Sequence, residues 1–552
     1  MRIFDRSGLK ILPFLLGLLF FAASLTPSLI PREWVVQGVL GGLVTALGYL
    51  IGRIIMGAWW VMELPTLKGR AATIFHAVLT LPVLILLFIC LRQSNIWQND
   101  IRSRMGMELA DSSQTVQMVL VAATVFGALF LLGFLMRITF NVLQRRLYLF
   151  MPARTANIIG LALMAILVVI VTRDGILDRV IANLDESVTI AQDLFDTAPP
   201  APTDEEAVGG KASLIDWDAM GKPGRDYVTR GPSAADIARF TGRDALQPIR
   251  VYAGLAQADT PQLRADIALG ELKRLGGFDR KVLIVALPTG TGWLDPGAVD
   301  TVEYMHGGDI ATIAVQYSYL QSPLALILET RSGLDQAVAL ISAVHSYWKT
   351  LPEDARPKLY IHGLSLGAWS SMHGTGLFAL LDDPINGALW AGPPFPSDRW
   401  IRVYADRDPD SPYVRPTIGD GRIVRFASHT EDAGGPDGWG TIRIVYLQYS
   451  SDPIVFYEPA SLFRRPEWMR EPAAEDVSSH MTFMPVVTQF QLAVDMALAT
   501  TAPAGHGHSY YGPDYVRPWV AVTNPENWSE ADSARLAAHC NGGFKLGCRN
   551  SD

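Results

Sequence analysis

Five apolar segments of membrane-spanning length occupy the first 172 residues and limit what this part of the chain can fold into. They are Leu9–Ile30, Val35–Ile51, Ala72–Leu91, Val116–Leu135 and Ala156–Thr172. About 17–25 largely apolar residues in helical form match the hydrocarbon thickness of a bilayer. Only a helix or a closed barrel can satisfy its backbone there, so five spanning helices are expected. Trp34, Trp59 and Trp60 lie where interfacial anchors belong. The basic start (Arg2, Arg6, Lys10) and the small residues Ala22-Ala23-Ser24 would also suit a cleavable signal peptide. Four further apolar segments favour a multi-pass anchor.

Lys and Arg orient such an anchor. With the N-terminus inside, the cytoplasmic segments hold Arg2, Arg6, Lys10, Arg53, Lys68, Arg70, Arg137, Arg145, Arg146 and Arg154. The opposite side holds Arg32, Arg92, Arg102 and Arg104. This bias predicts the N-terminus inside and the large C-terminal catalytic domain on the extracytoplasmic face of the cytoplasmic membrane. Cys540 and Cys548 flank a short loop and would suit a disulfide in an oxidising compartment, or two free thiols. The net charge of −8 and the lack of a dense basic patch argue against nucleic acid as a partner.

The organisation expected is a transmembrane domain over residues 1–175, a connecting stretch over 176–213 and a catalytic domain over 214–552. Ile176–Phe195 carries an apolar stripe at helical spacing with acidic residues opposite. Thr197–Ser213 has the Pro, Gly and acidic content of a linker. From Leu214 onward, buried-strand runs alternate with helical patterns. The strands expected are Ile249–Tyr252, Lys281–Leu287, Asp309–Gln316, Lys358–His362, Gly387–Ala391 and Ile442–Tyr449, with helices over Pro261–Leu275 and Gly333–Leu351. Such alternation predicts a mostly parallel sheet of the α/β-hydrolase type, with its site at the carboxyl ends of the strands.

Gly363-Leu364-Ser365-Leu366-Gly367 follows one of these strands and precedes a run of helix formers. Strand, G-x-S-x-G, helix is the pattern of a nucleophile elbow. A serine hydroxyl needs a base, best an imidazole, and the imidazole needs a carboxylate to orient it. In this type of sheet the chain order is nucleophile, acid, histidine. Asp452, between a strand and Pro453, is the candidate acid, although an aspartate there can also simply cap a turn. Asp398, Asp406 and Asp408 are rivals in a long charged insertion. Pro503-Ala-Gly-His506-Gly-His508-Ser-Tyr510 is a Gly-flanked loop, and His508 is the favoured base. His506 and His480 are the alternatives.

The oxyanion needs two backbone donors. Leu366 N–H is one. Thr289 or Gly290, in the Gly-rich loop after the strand ending at Leu287, supplies the other. That loop lacks the lysine of a P-loop and the spacing of G-x-G-x-x-G, so no nucleotide is expected. His-x-His can be a metal pair. No third His, Cys or carboxylate lies near it at a ligand spacing, so no metal and no other cofactor are expected.

Five pieces of the chain together resemble a bacterial family of membrane-anchored α/β-hydrolases. They are Pro248-Ile-Arg-Val-Tyr-Ala-Gly-Leu255, Gln316-Tyr-Ser-Tyr-Leu320, His362-Gly-Leu-Ser-Leu-Gly367, Tyr449-Ser-Ser-Asp-Pro453 and Gly505-His-Gly-His-Ser-Tyr510. The resemblance implies a multi-pass membrane domain joined to a hydrolase domain with a Ser/Asp/His mechanism. It implies no substrate. Leu364 stands where many lipases carry histidine, which leaves the triad unaffected.

The function expected is a membrane-anchored serine ester hydrolase acting on a membrane lipid or a lipid-linked ester. The same triad could instead pass the acyl group to an acceptor other than water. A third reading, a scaffold or transport protein with an inactive hydrolase domain, sits poorly with a complete Ser/Asp/His set and few ionisable residues at mid-membrane depth.

Overall fold

The computed structural model describes residues 9–147, 152, 155, 199–319, 330–376, 383–434 and 437–549. The chain divides into two compact units. One is Met1–Gln192 with Pro459–Arg465 and Val477–Asp495; the other is Asp193–Glu458, Pro466–Asp476 and Met496–Asp552. The division is therefore not linear, because two short pieces of the expected catalytic domain belong with the apolar unit.

In the apolar unit, α1 is Ile11–Ser24, α2 is Trp34–Val61, α3 is Gly69–Arg104 and α4 is Thr115–Leu147. Three of these, α2, α3 and α4, are long and apolar enough to cross a membrane. The segment expected at Leu9–Ile30 differs. Its helix has 14 residues, about 21 Å at 1.5 Å per residue, short of a bilayer core of roughly 30 Å. Pro27 has no N–H to continue it. Ser24 and Thr26 turn their hydroxyls onto the carbonyls of Phe21 and Ala23. The apolar residues beyond the break, Leu25, Leu29 and Ile30, are buried in protein. The helix Val487–Ala497 meets them: Asp495 accepts from Ser28 Oγ and Leu29 N–H, and Gln491 donates to the Thr26 carbonyl. The expected fifth span, Ala156–Thr172, and the amphipathic stretch Ile176–Phe195 lie outside the described residues.

Small residues let these helices approach closely. A Cβ on Gly38 or Gly42 of α2 would stand 2.7 or 2.6 Å from Val121 or Val125 of α4. On another face, Gly48 and Gly52 lie against Gly17 and Pro13 of α1. By contrast, α3 leaves Ile74, Leu81 and Phe88 exposed, and α4 leaves Leu120 and Leu131 exposed.

The other unit is built on a seven-stranded sheet. The strands are β1 Ile249–Ala253, β2 Val282–Leu287, β3 Ile310–Val315, β4 Lys358–Leu364, β5 Gly387–Ala391, β6 Val424–Ala427 and β7 Arg443–Leu447. Their order is β1-β3-β2-β4-β5-β7-β6, and every pairing is parallel. All residues of β2, β3 and β5 are buried. Helices cover both faces of such a sheet, so its central strands read as continuous apolar runs rather than alternating ones. β6 was not expected. It is an edge strand with only Phe426 and Ala427 buried, and it lies inside the charged insertion.

The helices that bear on the site are α5 Pro261–Arg274, α6 Pro296–Met305, α7 Thr330–Trp348, α8 Leu366–Gly374 and α9 Gly512–Thr523. α7 packs on α5 and α8, while α6 packs on α9. Two of them start on a capping side chain before proline. Thr260 accepts from Leu263 N–H, and Asp295 accepts from Gly297 N–H. Residues 204–214 are folded against α5: Glu271, fully buried, accepts from Ser213 Oγ and Leu214 N–H, and Arg274 pairs with both Glu271 and Glu206.

Candidate active site

Ser365 stands between β4 and α8 with φ 57° and ψ −125°. A non-glycine residue with positive φ is strained by its own Cβ. The neighbouring glycines make the turn feasible. A Cβ on Gly363 would lie 2.3 Å from the Gly367 carbonyl carbon, and one on Gly367 would lie 2.1 Å from the Leu287 carbonyl oxygen. Neither position has room for a side chain. The turn is held from the next strand, because Ser365 N–H donates to the Ala391 carbonyl at 2.9 Å.

Asp452 follows β7 and is fully buried. Its two oxygens do different work. Oδ1 accepts from Ile454 N–H at 2.9 Å, capping the turn that begins at Pro453. Oδ2 lies 2.7 Å from Nδ1 of His508 and accepts from the Tyr510 hydroxyl at 2.9 Å. Asp452 thus caps the turn with one oxygen and pairs with an imidazole through the other. Burial, with Asp452 beside it, raises the Tyr510 phenol well above its ordinary pKa, so it remains a donor at neutral pH.

His508 is buried, and its backbone N–H is tied to the Ala499 carbonyl at 2.7 Å. With Nδ1 carrying the proton toward Asp452, Nε2 has its lone pair free. Nε2 is buried without a hydrogen-bond partner among the described residues. The ring lies over Gly392, the residue after the carbonyl that holds Ser365. A Cβ there would stand 2.8 Å from His508 Cε1 and 2.7 Å from the Tyr510 ring. Ser365, bonded through its N–H to Ala391, and His508, lying over Gly392, thus meet adjacent residues at the end of β5, and Asp452 follows the neighbouring strand β7.

The alternatives fall elsewhere. His506 is paired with Asp476, its Nδ1 3.3 Å from Oδ2, and not with Asp452. His480 is exposed and belongs to the apolar unit. Asp398 and Asp406 are exposed, and Asp408 is half-buried. Of the oxyanion donors, Leu366 N–H is at the first position of α8, where a helix offers it no internal acceptor. Thr289 is a correction: its N–H already donates to the Trp293 carbonyl at 2.9 Å. Gly290, next along this tight loop, is outside that bond. The start of the loop touches the elbow through the approach of Gly367 to Leu287 and Pro288.

Sequence reasoning gave no role to Tyr510. Its signal was its place two residues after His508. It also gave none to His429 and Asp476, which the fold gathers around His506. His362, in the strand before the elbow, is structural. Burial lowers its pKa to about 4, and Nδ1 lies 2.8 Å from the Leu389 carbonyl.

Parallel sheet, elbow and strand-end groups describe a hydrolase of the α/β type, and the comparisons agree. The chain belongs to the alpha/beta-hydrolase family: residues 249–536 match it, and residues 25–232 match the N-terminal part described for that family. No curated protein matches the chain. Two solved structures of acetyl xylan esterase, one an iodinated complex, are similar at 16% and 17% identity over 32% of this chain and 85% of theirs. Their TM-score of 0.20 carries no argument about activity.

Proposed function

We propose that this protein is a membrane-anchored serine ester hydrolase. One observation carries the reading: a strained serine on a strand-to-helix turn shares the strand ends with a buried Asp452–His508 pair whose Nε2 is unpartnered. Ser365 Oγ attacks the ester carbonyl while His508 Nε2 takes its proton. Asp452 holds the imidazole in the required tautomer and stabilises its charge. Leu366 N–H and Gly290 N–H receive the oxyanion. The proton passes to the departing alcohol, and water then attacks the acyl-enzyme through the same base.

The three long apolar helices support a tether in a bilayer, and so an ester carried by a membrane lipid or a lipid-linked group as substrate. The Cys540–Cys548 disulfide suits an oxidising compartment and so supports catalysis on the outer face of the cytoplasmic membrane.

The test is reaction of the full-length protein in detergent with a fluorophosphonate probe, beside Ser365→Ala. Labelling of the wild type alone, with ester hydrolysis lower by orders of magnitude in the variant, is the expected result. Equal labelling of both would overturn the assignment.

A further inference from the structure

We propose that His429, Asp476 and His506 form a metal site, best suited to Zn²⁺, beside the triad. The three come from different parts of the chain: the loop after β6, the loop that follows Glu475, and the Gly-His-Gly-His turn. Their ligand atoms all lie within 4.8 Å of one another. The two imidazole rings have centroids 4.9 Å apart at a steep angle, so they converge rather than stack.

The bland alternative is an Asp476–His506 ion pair with His429 as a neighbour. It leaves too much unsatisfied. Asp476 is 1% exposed, and its Oδ1 is buried without a partner, as is His429 Nδ1. An unpaired buried carboxylate oxygen and an unpaired buried ring nitrogen each cost free energy. A cation bound by both would satisfy them together. Two imidazoles and one carboxylate are a donor set that zinc accepts, with a fourth position left for water. The carboxylate is also oriented as ligands usually are. Its Oδ2 accepts from Ser451 Oγ at 2.6 Å, and Ser451 Oγ in turn accepts from Gly507 N–H at 2.9 Å.

That chain of contacts gives the site a purpose. Ser451 precedes Asp452, and Gly507 lies between His506 and His508. A metal on His506 and Asp476 would pin both segments that carry the acid and the base. His508 Nδ1 faces Asp452 instead, so the ion would position the triad and take no part in the reaction.

The experiment uses the full-length protein in detergent, stripped with chelator and titrated with Co²⁺ and Zn²⁺. One equivalent of Zn²⁺ should be retained, and Co²⁺ should give the visible absorption of a low-coordinate nitrogen–oxygen site. His429→Ala should weaken binding on the order of 100-fold. His429→Cys should retain Co²⁺ and add a thiolate charge-transfer band absent from the wild type. This guards against a variant that merely unfolds. Retention of no metal by the wild type, or equal retention by wild type and His429→Ala, would overturn the proposal. Because these readouts are stoichiometry and spectra, failure here is distinct from failure of the hydrolase reading.

Discussion

Ser365 occupies a backbone region that costs an L-residue about 1–3 kcal/mol, and the neighbouring strands supply the constraint that keeps it there. Glycine tolerates that conformation and alanine does not. Ser365→Gly should therefore be more stable than Ser365→Ala by about 1–2 kcal/mol, measured by thermal unfolding, with both inactive. Equal stability would mean that the turn is not strained. Tyr510 is the second residue with a sharp expectation. Its hydroxyl donates to the same oxygen of Asp452 that holds His508. A hydrogen bond to a buried charged group contributes about 1.5–3 kcal/mol. Tyr510→Phe should lower kcat/KM about tenfold or more through kcat, with KM little changed. A rise in KM alone would place the tyrosine in substrate binding. The proposed nucleophile and acid could be picked out in the sequence because Ser365 and Asp452 each carry their own chemistry just after a strand, and His508 because glycine flanks it in a loop. The sequence could not show that Thr289 N–H is spent on Trp293, since backbone bonds in a loop leave no mark on side-chain choice.

Elements were legible where burial is two-sided. β2 is apolar throughout, and β3 is apolar except for Thr312, because both faces are covered. β6 is half-buried, short and interrupted by Arg425, and so looked like surface. The stretch Leu9–Ile30 misled for the opposite reason. Its apolar character continues past the helix because Leu25, Leu29 and Ile30 pack on protein, and composition alone does not distinguish protein from lipid. The junction at α5 gives a test at this scale. Burial pushes the Glu271 carboxyl up, but its bonds to Arg274, Leu214 N–H and Ser213 bring it below its ordinary value. A carboxylate with a lowered folded pKa contributes stability above its unfolded value and loses it as pH falls through the folded one. Glu271→Gln should thus be clearly less stable than the wild type at pH 7. The difference should shrink as pH falls below about 4.5, measured by thermal unfolding across pH. A constant difference would mean that the charge is not what holds residues 213–214.

As a whole molecule, the chain carries both an apolar helical unit and a unit built on a parallel hydrolase sheet. Exposed Ile74, Leu81 and Phe88 on a 36-residue helix are an aggregation hazard in water and ordinary in lipid. The protein should stay with the membrane through alkaline carbonate extraction. Protease added outside spheroplasts should remove the hydrolase domain; protection there would reverse the proposed orientation. Parallel-sheet architecture could be read from alternating patterns along the chain. The inclusion of Val477–Asp495 in the apolar unit could not, because it depends on Gln491 and Asp495 meeting residues more than 450 positions away.

The most direct measurement is to locate the covalent adduct. The full-length protein is treated with a fluorophosphonate, digested and mapped by mass spectrometry, alongside His508→Ala and His480→Ala. The adduct should sit on Ser365 in the wild type and in His480→Ala, and labelling should fall by orders of magnitude in His508→Ala. An adduct on another serine, or loss of labelling in His480→Ala with labelling intact in His508→Ala, would contradict the assigned nucleophile and base.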